Sequence, residues 1–311
     1  MRKVSVVVAA VLLCMVAASQ VFATDSVQKL NDNARINWTK LEYIATGEGA
    51  MPTVKDEPNR ARAYLKAKGY ARMAATANLL AAIEGTTISF EATGKDYMEE
   101  ATVRQKIEGY VKNVEITKTS KETVEGDTVV IVEVRAPMFG QNGPGSVLVG
   151  QEIKQEKANL ETTTTVETNV KVTLKQDLKP LKEVTIEPAV ASSGEGYSSV
   201  IIDTSGYKLD RCMSPKVRRD DGSEVWGSVK ADPNLVLERG IVSYATTLQD
   251  AKNSTRCGSS PLLIKAIGRA GGRFNSDPVI SDEDAQVMLA ENAKSGFLDK
   301  LNVIVVKDGR L

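Results

Sequence analysis

Two short stretches of the sequence contain residue types that could serve in catalysis or metal binding. Each lacks the accompanying motif that such a site needs. Ser26 and Lys29 have the Ser-x-x-Lys spacing of a nucleophile and its base, but the Ser-Asp-Asn and Lys-Thr-Gly motifs that accompany such a pair are absent. Asp220 and Asp221 precede Gly222, an order typical of a turn, and the spacing of a calcium-binding loop is missing. Neither stretch predicts a catalytic or metal site.

Two further observations argue against catalysis. The segment 139–150 holds four glycines without the Gly-Lys-Ser/Thr ending of a phosphate-binding loop, and we interpret it as a flexible loop. The chain has no histidine, which excludes His-based triads, histidine zinc sites and imidazole general bases. An acid–base pair would need carboxylates or lysines with shifted pKa values. The sequence therefore predicts a protein that is not an enzyme and that uses no metal or cofactor.

Residues 1–23 have the features of a secretory signal peptide. Arg2 and Lys3 come before an apolar run from Val4 to Ala18, and Val21-Phe22-Ala23 supplies short side chains at the −3 and −1 positions of a cleavage site. The alternative is a membrane anchor, but the apolar run is shorter than the about 20 residues of a spanning helix. We expect a periplasmic protein, either free or associated peripherally with the outer membrane.

The formal net charge of the chain is zero, because it contains 40 Lys and Arg residues and 40 Asp and Glu residues. This balance removes the usual reason to expect nucleic acid or an anionic membrane as a partner. Cys212 and Cys257 are the cysteines that follow the predicted signal peptide, and in an oxidising periplasm we predict a disulfide between them. It would stabilise the fold by roughly 4 kcal/mol. The alternative is two buried thiols that never meet.

The hydrophobic patterns predict an α+β protein with two small mixed α/β sandwich domains, 24–150 and 195–311, joined by an extended, β-rich linker over 151–194. The first domain would begin with a loose segment over 24–35. A strand over 36–45 would follow, ended by Gly47-Glu48-Gly49. After the long helix described next, we predict strands at 87–92, 110–118 and 127–135 and a helix at 97–108. The linker holds four consecutive threonines and two prolines.

A long helix over 59–83 is the strongest element in the first domain. Small residues and one tyrosine recur at helical spacing and are expected to form its packed face: Ala63, Ala67, Tyr70, Ala71, Ala74, Ala77 and Ala81. Small side chains let a helix axis lie close to a sheet, and the alternative is a helix–helix contact in an oligomer. In the second domain we predict strands at 199–203, 241–245, 261–267 and 301–306, a hairpin around Gly222, and helices capped by Asp232 and Ser281.

An ordered series of short motifs resembles the bacterial envelope family named for the lipoprotein-20 antigen. The series comprises Asn37-Trp38-Thr39, Ile44-Ala45-Thr46-Gly47-Glu48-Gly49, Arg60-Ala61-Arg62-Ala63, Asn78-Leu79-Leu80, Ile83-Glu84-Gly85 and Gly109-Tyr110-Val111-Lys112. The segment 196–227 also resembles a downstream part of longer members. That family includes the flagellar protein FlgP and is similar to the N-terminal domain of the flagellar assembly protein FlgT. The sequence departs from the lipoprotein members because Leu13, which is not small, precedes Cys14 in place of a lipobox.

The resemblance implies a small α/β domain used in envelope or flagellar-motor assembly. We therefore expect a non-catalytic structural or assembly protein, associated with the flagellar basal body, that forms homo-oligomers and binds other envelope proteins. The alternative is a periplasmic binding module for cell-wall glycan or a small ligand. Trp38 and Trp226 would be its candidate ligand-stacking residues, with core packing as the competing interpretation of both.

Overall fold

A computed structural model describes residues 25–88, 92–140, 143–154, 196–227 and 230–308. The first half of the chain builds a five-stranded antiparallel sheet in the order β1-β2-β3-β5-β4. Its strands are β1 (Val27–Asn31), β2 (Ala34–Asn37), β3 (Glu42–Ala50), β4 (Ile116–Val124) and β5 (Asp127–Pro137). Its helices are α1 (Arg60–Glu84), α2 (Gly94–Tyr97), α3 (Ala101–Lys112) and α4 (144–154).

The second half contains two four-stranded sheets. One is entirely parallel, in the order β10-β6-β13-β9, and the other is mixed, in the order β11-β12-β7-β8. The strands are β6 (Ser199–Asp203), β7 (Val217–Arg219), β8 (Glu224–Trp226), β9 (Ser243–Ala245), β10 (Pro261–Lys265), β11 (Gly268–Ala270), β12 (Asp277–Ile280) and β13 (Val303–Val306). The helices are α5 (Pro233–Arg239), α6 (Leu248–Lys252) and α7 (Asp282–Ser295). The α+β fold class is confirmed.

Helix caps set several element boundaries where the sequence predicted them. The Asp232 side chain accepts hydrogen bonds from the backbone N–H groups of Asn234 and Leu235, and Pro233 occupies the first turn of α5. Ser281 accepts from the Asp284 N–H at 3.0 Å at the start of α7. These local bonds satisfy donors that a helix leaves unpaired, so the sequence alone places both helix starts.

Gly47 and Gly49 lie inside β3, and the prediction that they end a strand is wrong. A Cβ at Gly47 would stand 2.1 Å from the backbone nitrogen of Ala75, and one at Gly49 would stand 2.1 Å from the carbonyl oxygen of Ala67. The two glycines are therefore required by the close approach of α1 to the sheet and not by a turn. The segment expected to be loose, 24–35, contains β1.

The segment 139–150 was expected to be a loop, and its greater part belongs to α4. Pro144 is the first residue of this helix, where a missing N–H costs nothing and the fixed φ favours helical backbone. Ser146 Oγ donates to the carbonyl oxygen of Leu237 at 2.5 Å, which ties the start of α4 to α5. Residues 151–154, predicted as the start of the extended linker 151–194, continue α4 instead, and the rest of that segment lies outside the described residues.

The two halves share one hydrophobic core. A single buried cluster contains Trp38, Leu79 and Val132 from the first half together with Tyr244 and Met288 from the second. The rings of Trp38 and Tyr244 meet edge to face, with centroids 5.5 Å apart. The domains predicted as separate sandwiches therefore pack directly against each other.

Candidate functional site

Ser26 and Lys29, which have the spacing of a nucleophile and its base, belong to separate interactions. Ser26 is buried, and its Oγ accepts hydrogen bonds from Arg211 Nε at 2.9 Å and from Nη2 at 2.5 Å. Lys29 is exposed and pairs with Asp32 at 2.7 Å. A buried serine that receives two bonds from a cation has no base to remove its proton, so the interpretation of this spacing as chance agrees with the geometry.

The Asp220-Asp221-Gly222 sequence forms the predicted turn between β7 and β8. Gly222 has φ +84°, and the Asp221 carboxylate accepts from the Ser223 N–H at 2.8 Å. In the ranges that the structure describes, no group of three or more Cys, Asp or Glu residues is placed to hold a metal ion.

Asp277 is the most deeply buried carboxylate of the second half with a clear structural role. It joins β12 to β7, because Oδ2 accepts from Arg218 Nε at 2.6 Å and Oδ1 accepts from the Lys216 N–H at 3.0 Å. Burial raises the pKa of Asp277, although the hydrogen bonds from Lys216 and Arg218 act in the opposite direction. All these contacts are internal to the sheet, so the shift reflects packing.

Both tryptophans proposed as ligand-stacking residues lie in the core. Trp38 is 1% exposed and Trp226 is 3% exposed. The indole N–H of Trp38 donates to Gln28 Oε1 at 2.7 Å. Neither ring presents a face to solvent, which favours the core-packing interpretation of both residues.

Cys212 and Cys257 are buried free thiols in the structure, so the predicted bridge is not formed there. Cys212 Sγ donates to the carbonyl oxygen of Ile88 at 2.9 Å, where the two halves meet. Cys257 packs in a separate small cluster with Ile201 and Ile304. Burial, with a smaller contribution from the Glu152 carboxylate, raises the pKa of the Cys212 thiol well above its usual range. The geometry thus favours the alternative of two thiols that never meet.

We expect neither thiol of the unreduced, folded protein to react with Ellman's reagent, because both are buried and reactivity requires an accessible thiolate. After denaturation in guanidinium chloride without reductant, both should react. Absence of reaction in the denatured protein until dithiothreitol is added would show that the Cys212–Cys257 disulfide forms after all.

Helix α1 carries the most distinctive surface of the protein. It begins at Asn59, whose side chain accepts from the Arg62 N–H at 3.1 Å, and it runs for 25 residues. Its inner face packs on β3 and β5 through a buried stripe: Ala63, Ala67, Ala71, Ala75, Leu79, Ala82 and Ile83. The alanine spacing predicted its first three residues, Ala63, Ala67 and Ala71, but not the part of the stripe that follows.

The opposite side of α1 is also apolar, and it faces solvent. We call the exposed residues Leu65, Gly69, Tyr70, Met73 and Ala77 the outer face. Leu65 is 64% exposed, Tyr70 62% and Met73 68%. The prediction that Tyr70, Ala77 and Ala81 belong to the packed face is wrong, because all three are exposed. The signal that could have located the outer face is the occurrence of Leu65 and Met73 opposite the alanines, since an amphipathic surface helix would carry polar residues there.

The exposed side of α1 also carries charged side chains, and the basic ones lie towards its N-terminal end. Arg62, Lys66 and Arg72 are exposed in its first two-thirds, and Lys66 pairs with Glu57 at 2.8 Å. Glu84 is the single acidic residue of the helix and lies at its last position. The surface is therefore apolar along its length, positive towards its start and negative at its end.

Comparison with known families bears on the second half of the chain. The family model of the second domain of Treponema pallidum Tp0624 matches residues 199–309. This chain contains a domain similar to that one. The matched range begins with β6 and includes β13, so it coincides with the two-sheet half of the structure. Among curated proteins, none matches the chain.

The match leaves the first half to be interpreted from its own residues. The match does not extend to the motifs between Asn37 and Lys112, so the lipoprotein-20 resemblance stays a prediction. Among the helices that the structure describes, none combines the length and apolar character needed to cross a membrane.

Proposed function

We propose that the protein is a non-catalytic structural or assembly protein of the bacterial envelope, and that it associates through the outer face of α1. The observation that carries this proposal is the exposure of Leu65, Tyr70 and Met73, between 62% and 68%, on one rigid helix. Contiguous exposed apolar side chains on a well-packed protein are typical of interaction surfaces. The signal-peptide pattern and the lipoprotein-20 resemblance support a periplasmic location and the flagellar basal body as the assembly.

We propose a second copy of this chain as the first partner of the outer face. Two α1 helices packed antiparallel would set the Arg62 and Lys66 end of one beside Glu84 and the carbonyl end of the other. Gly69 lies between Leu65 and Met73 and has no atom within 4 Å of the position of a Cβ, so a partner side chain has room to enter there. The same surface on both subunits gives a closed, two-fold contact.

We expect the exported protein to be an oligomer and Met73→Glu to be a monomer, because a buried, unpaired carboxylate at the centre of such a contact costs several kcal/mol. Multi-angle light scattering measures the change. Leu289→Glu is the matched control, since Leu289 is an exposed apolar residue on α7 and its substitution should leave the oligomer intact.

The flagellar assignment is tested separately by isolating detergent-extracted basal bodies. Retention of the protein at fixed stoichiometry after washing, with loss of the Met73→Glu variant, would support both the location and the surface. A protein that is recovered entirely as a soluble periplasmic monomer would refute the assembly proposal and leave the binding-module alternative.

A further inference from the structure

A cavity of about 400 Å³ lies where the two halves meet, and no residue of α1 lines it. Lys40 and Phe139 line it from the first half, and Arg239, Ser254 and Arg256 line it from the second. The eleven residues that line it include three cations and one carboxylate, that of Glu238. A cavity of this size falls within the range that holds small organic ligands.

Arg256 brings a buried positive charge to this cavity. It is 6% exposed, and its Nη1 donates to the carbonyl oxygens of Gly240, Ile241 and Leu301 at 3.0 to 3.2 Å. Its Nη2 donates to the carbonyl oxygen of Arg239. No carboxylate of the described residues lies within 4.0 Å of its guanidinium, so carbonyl dipoles alone offset a full charge. Buried charges are ordinarily paired.

The Arg239 side chain adds to the electrostatic free energy that is needed to bury the Arg256 charge. It is half-buried, it lines the same cavity, and its guanidinium donates to none of the described residues. Burial, together with the repulsion from Arg239, lowers the pKa of Arg256 to about 9. Lys40 does not add an uncompensated charge, because it pairs with Asp25 at 2.7 Å.

A purely structural role explains only part of this geometry. The bonds of Arg256 to the carbonyls that follow α5 tie the end of that helix to Leu301, as a helix C-cap does. That role needs neither a second guanidinium nor a cavity. The exposed Glu238 also lines the cavity but forms no ion pair with either arginine in the described structure. The two arginines therefore leave positive charge facing an open space that also presents the hydroxyl group of Ser254.

We propose that this cavity binds the oxyanion group, carboxylate or phosphate, of a small ligand. The Arg239 guanidinium would hold it by hydrogen bonds, Arg256 would attract it by its charge because its Nη atoms already donate to backbone carbonyls, and Ser254 would serve as a hydroxyl donor. Guanidinium groups bind planar and tetrahedral oxyanions through paired N–H donors, and the surrounding buried setting strengthens the attraction. Occupation would replace the arginine–arginine repulsion by two favourable contacts, and it would bridge the two halves of the protein. The site is independent of the outer face and goes beyond the assembly function.

Thermal unfolding of the whole exported chain tests this proposal, with inorganic phosphate and acetate as separate probes at constant ionic strength set with sodium chloride. A ligand that binds only the folded protein raises Tm in a saturable manner. We expect saturable stabilisation by at least one probe, and the more effective of the two identifies the oxyanion. Calorimetric titration of that probe then gives its Kd.

Arg239→Gln should weaken the binding at least tenfold while preserving the fold, because the Arg239 side chain donates no hydrogen bond to any residue that the structure describes. Arg104→Gln, at an exposed position on α3, is the matched control and should bind like the unaltered protein. No saturable effect of either probe, or equal binding by Arg239→Gln and the unaltered protein, would overturn the proposal.

Discussion

Gly47→Ala is expected to destabilise the protein by more than about 3 kcal/mol, above the usual cost of overpacking a core. The added methyl group would stand 2.1 Å from the nitrogen of Ala75 and 2.3 Å from the carbonyl oxygen of Ala71. Both atoms are backbone, so no side chain can rotate away. The helix would have to move off the sheet, and the buried alanine stripe would lose its contacts along with it.

Urea denaturation followed by circular dichroism measures this effect, and Gly109→Ala provides the matched control. Gly109 lies within α3, away from the outer face, with no atom within 4 Å of its Cβ position. Alanine there should stabilise the helix by about 1 kcal/mol because it restricts the unfolded chain. If Gly47→Ala proved as stable as the unaltered protein, the close approach of α1 to β3 would be wrong.

Trp38→Ala is expected to cost about 3–5 kcal/mol, the usual range for removal of a large buried aromatic side chain. Trp38 is 1% exposed, and its ring meets Tyr244 of the second half. The substitution also leaves Gln28 Oε1 without the N–H donor that it now accepts from. The loss should reach both halves of the protein, because the removed ring belongs to the core that they share.

A double-mutant cycle isolates the contact between the halves. Trp38→Phe and Tyr244→Leu, alone and combined, should give a coupling energy of about 0.5–1.5 kcal/mol, as expected for an edge-to-face aromatic pair. The unaltered protein should unfold in one transition by circular dichroism and by tryptophan fluorescence. Two separate transitions, or a coupling near zero, would show that the halves fold as independent domains.

Local sequence features were sufficient to predict the elements whose caps and packing pattern lie within a single segment of the chain. The helix predicted over 59–83 is α1 within one residue at each end, because its cap at Asn59 and its repeated alanines lie within the segment itself. The same holds for α5 and α7, whose capping side chains stand within three residues of the donors that they satisfy. The buried strand β13 was predicted from a continuous apolar run.

Contacts between distant segments produced several features that the sequence did not predict. Gly47 and Gly49 resemble a turn when read alone, and only the approach of α1, some 20 residues later, makes them part of a strand. Tyr70 lies next to Ala71, but at about 100° of helix rotation per residue it falls at the edge of the alanine stripe. Only the position of the sheet against α1 decides that Tyr70 faces solvent. The prediction of a Cys212–Cys257 bridge followed from their number, which carries no information on the distance between them.

The sequence by itself determined the α+β class, the long alanine-rich helix, the capped helices of the second half and the absence of histidine chemistry, because each follows from composition or from neighbours within a few residues. The tertiary structure alone decided that the two halves share a core, that Leu65, Tyr70 and Met73 remain exposed, and that Arg239 and Arg256 face one cavity. These features depend on which surfaces of distant elements meet, and hydrophobic burial chooses among such pairings only when the whole chain packs.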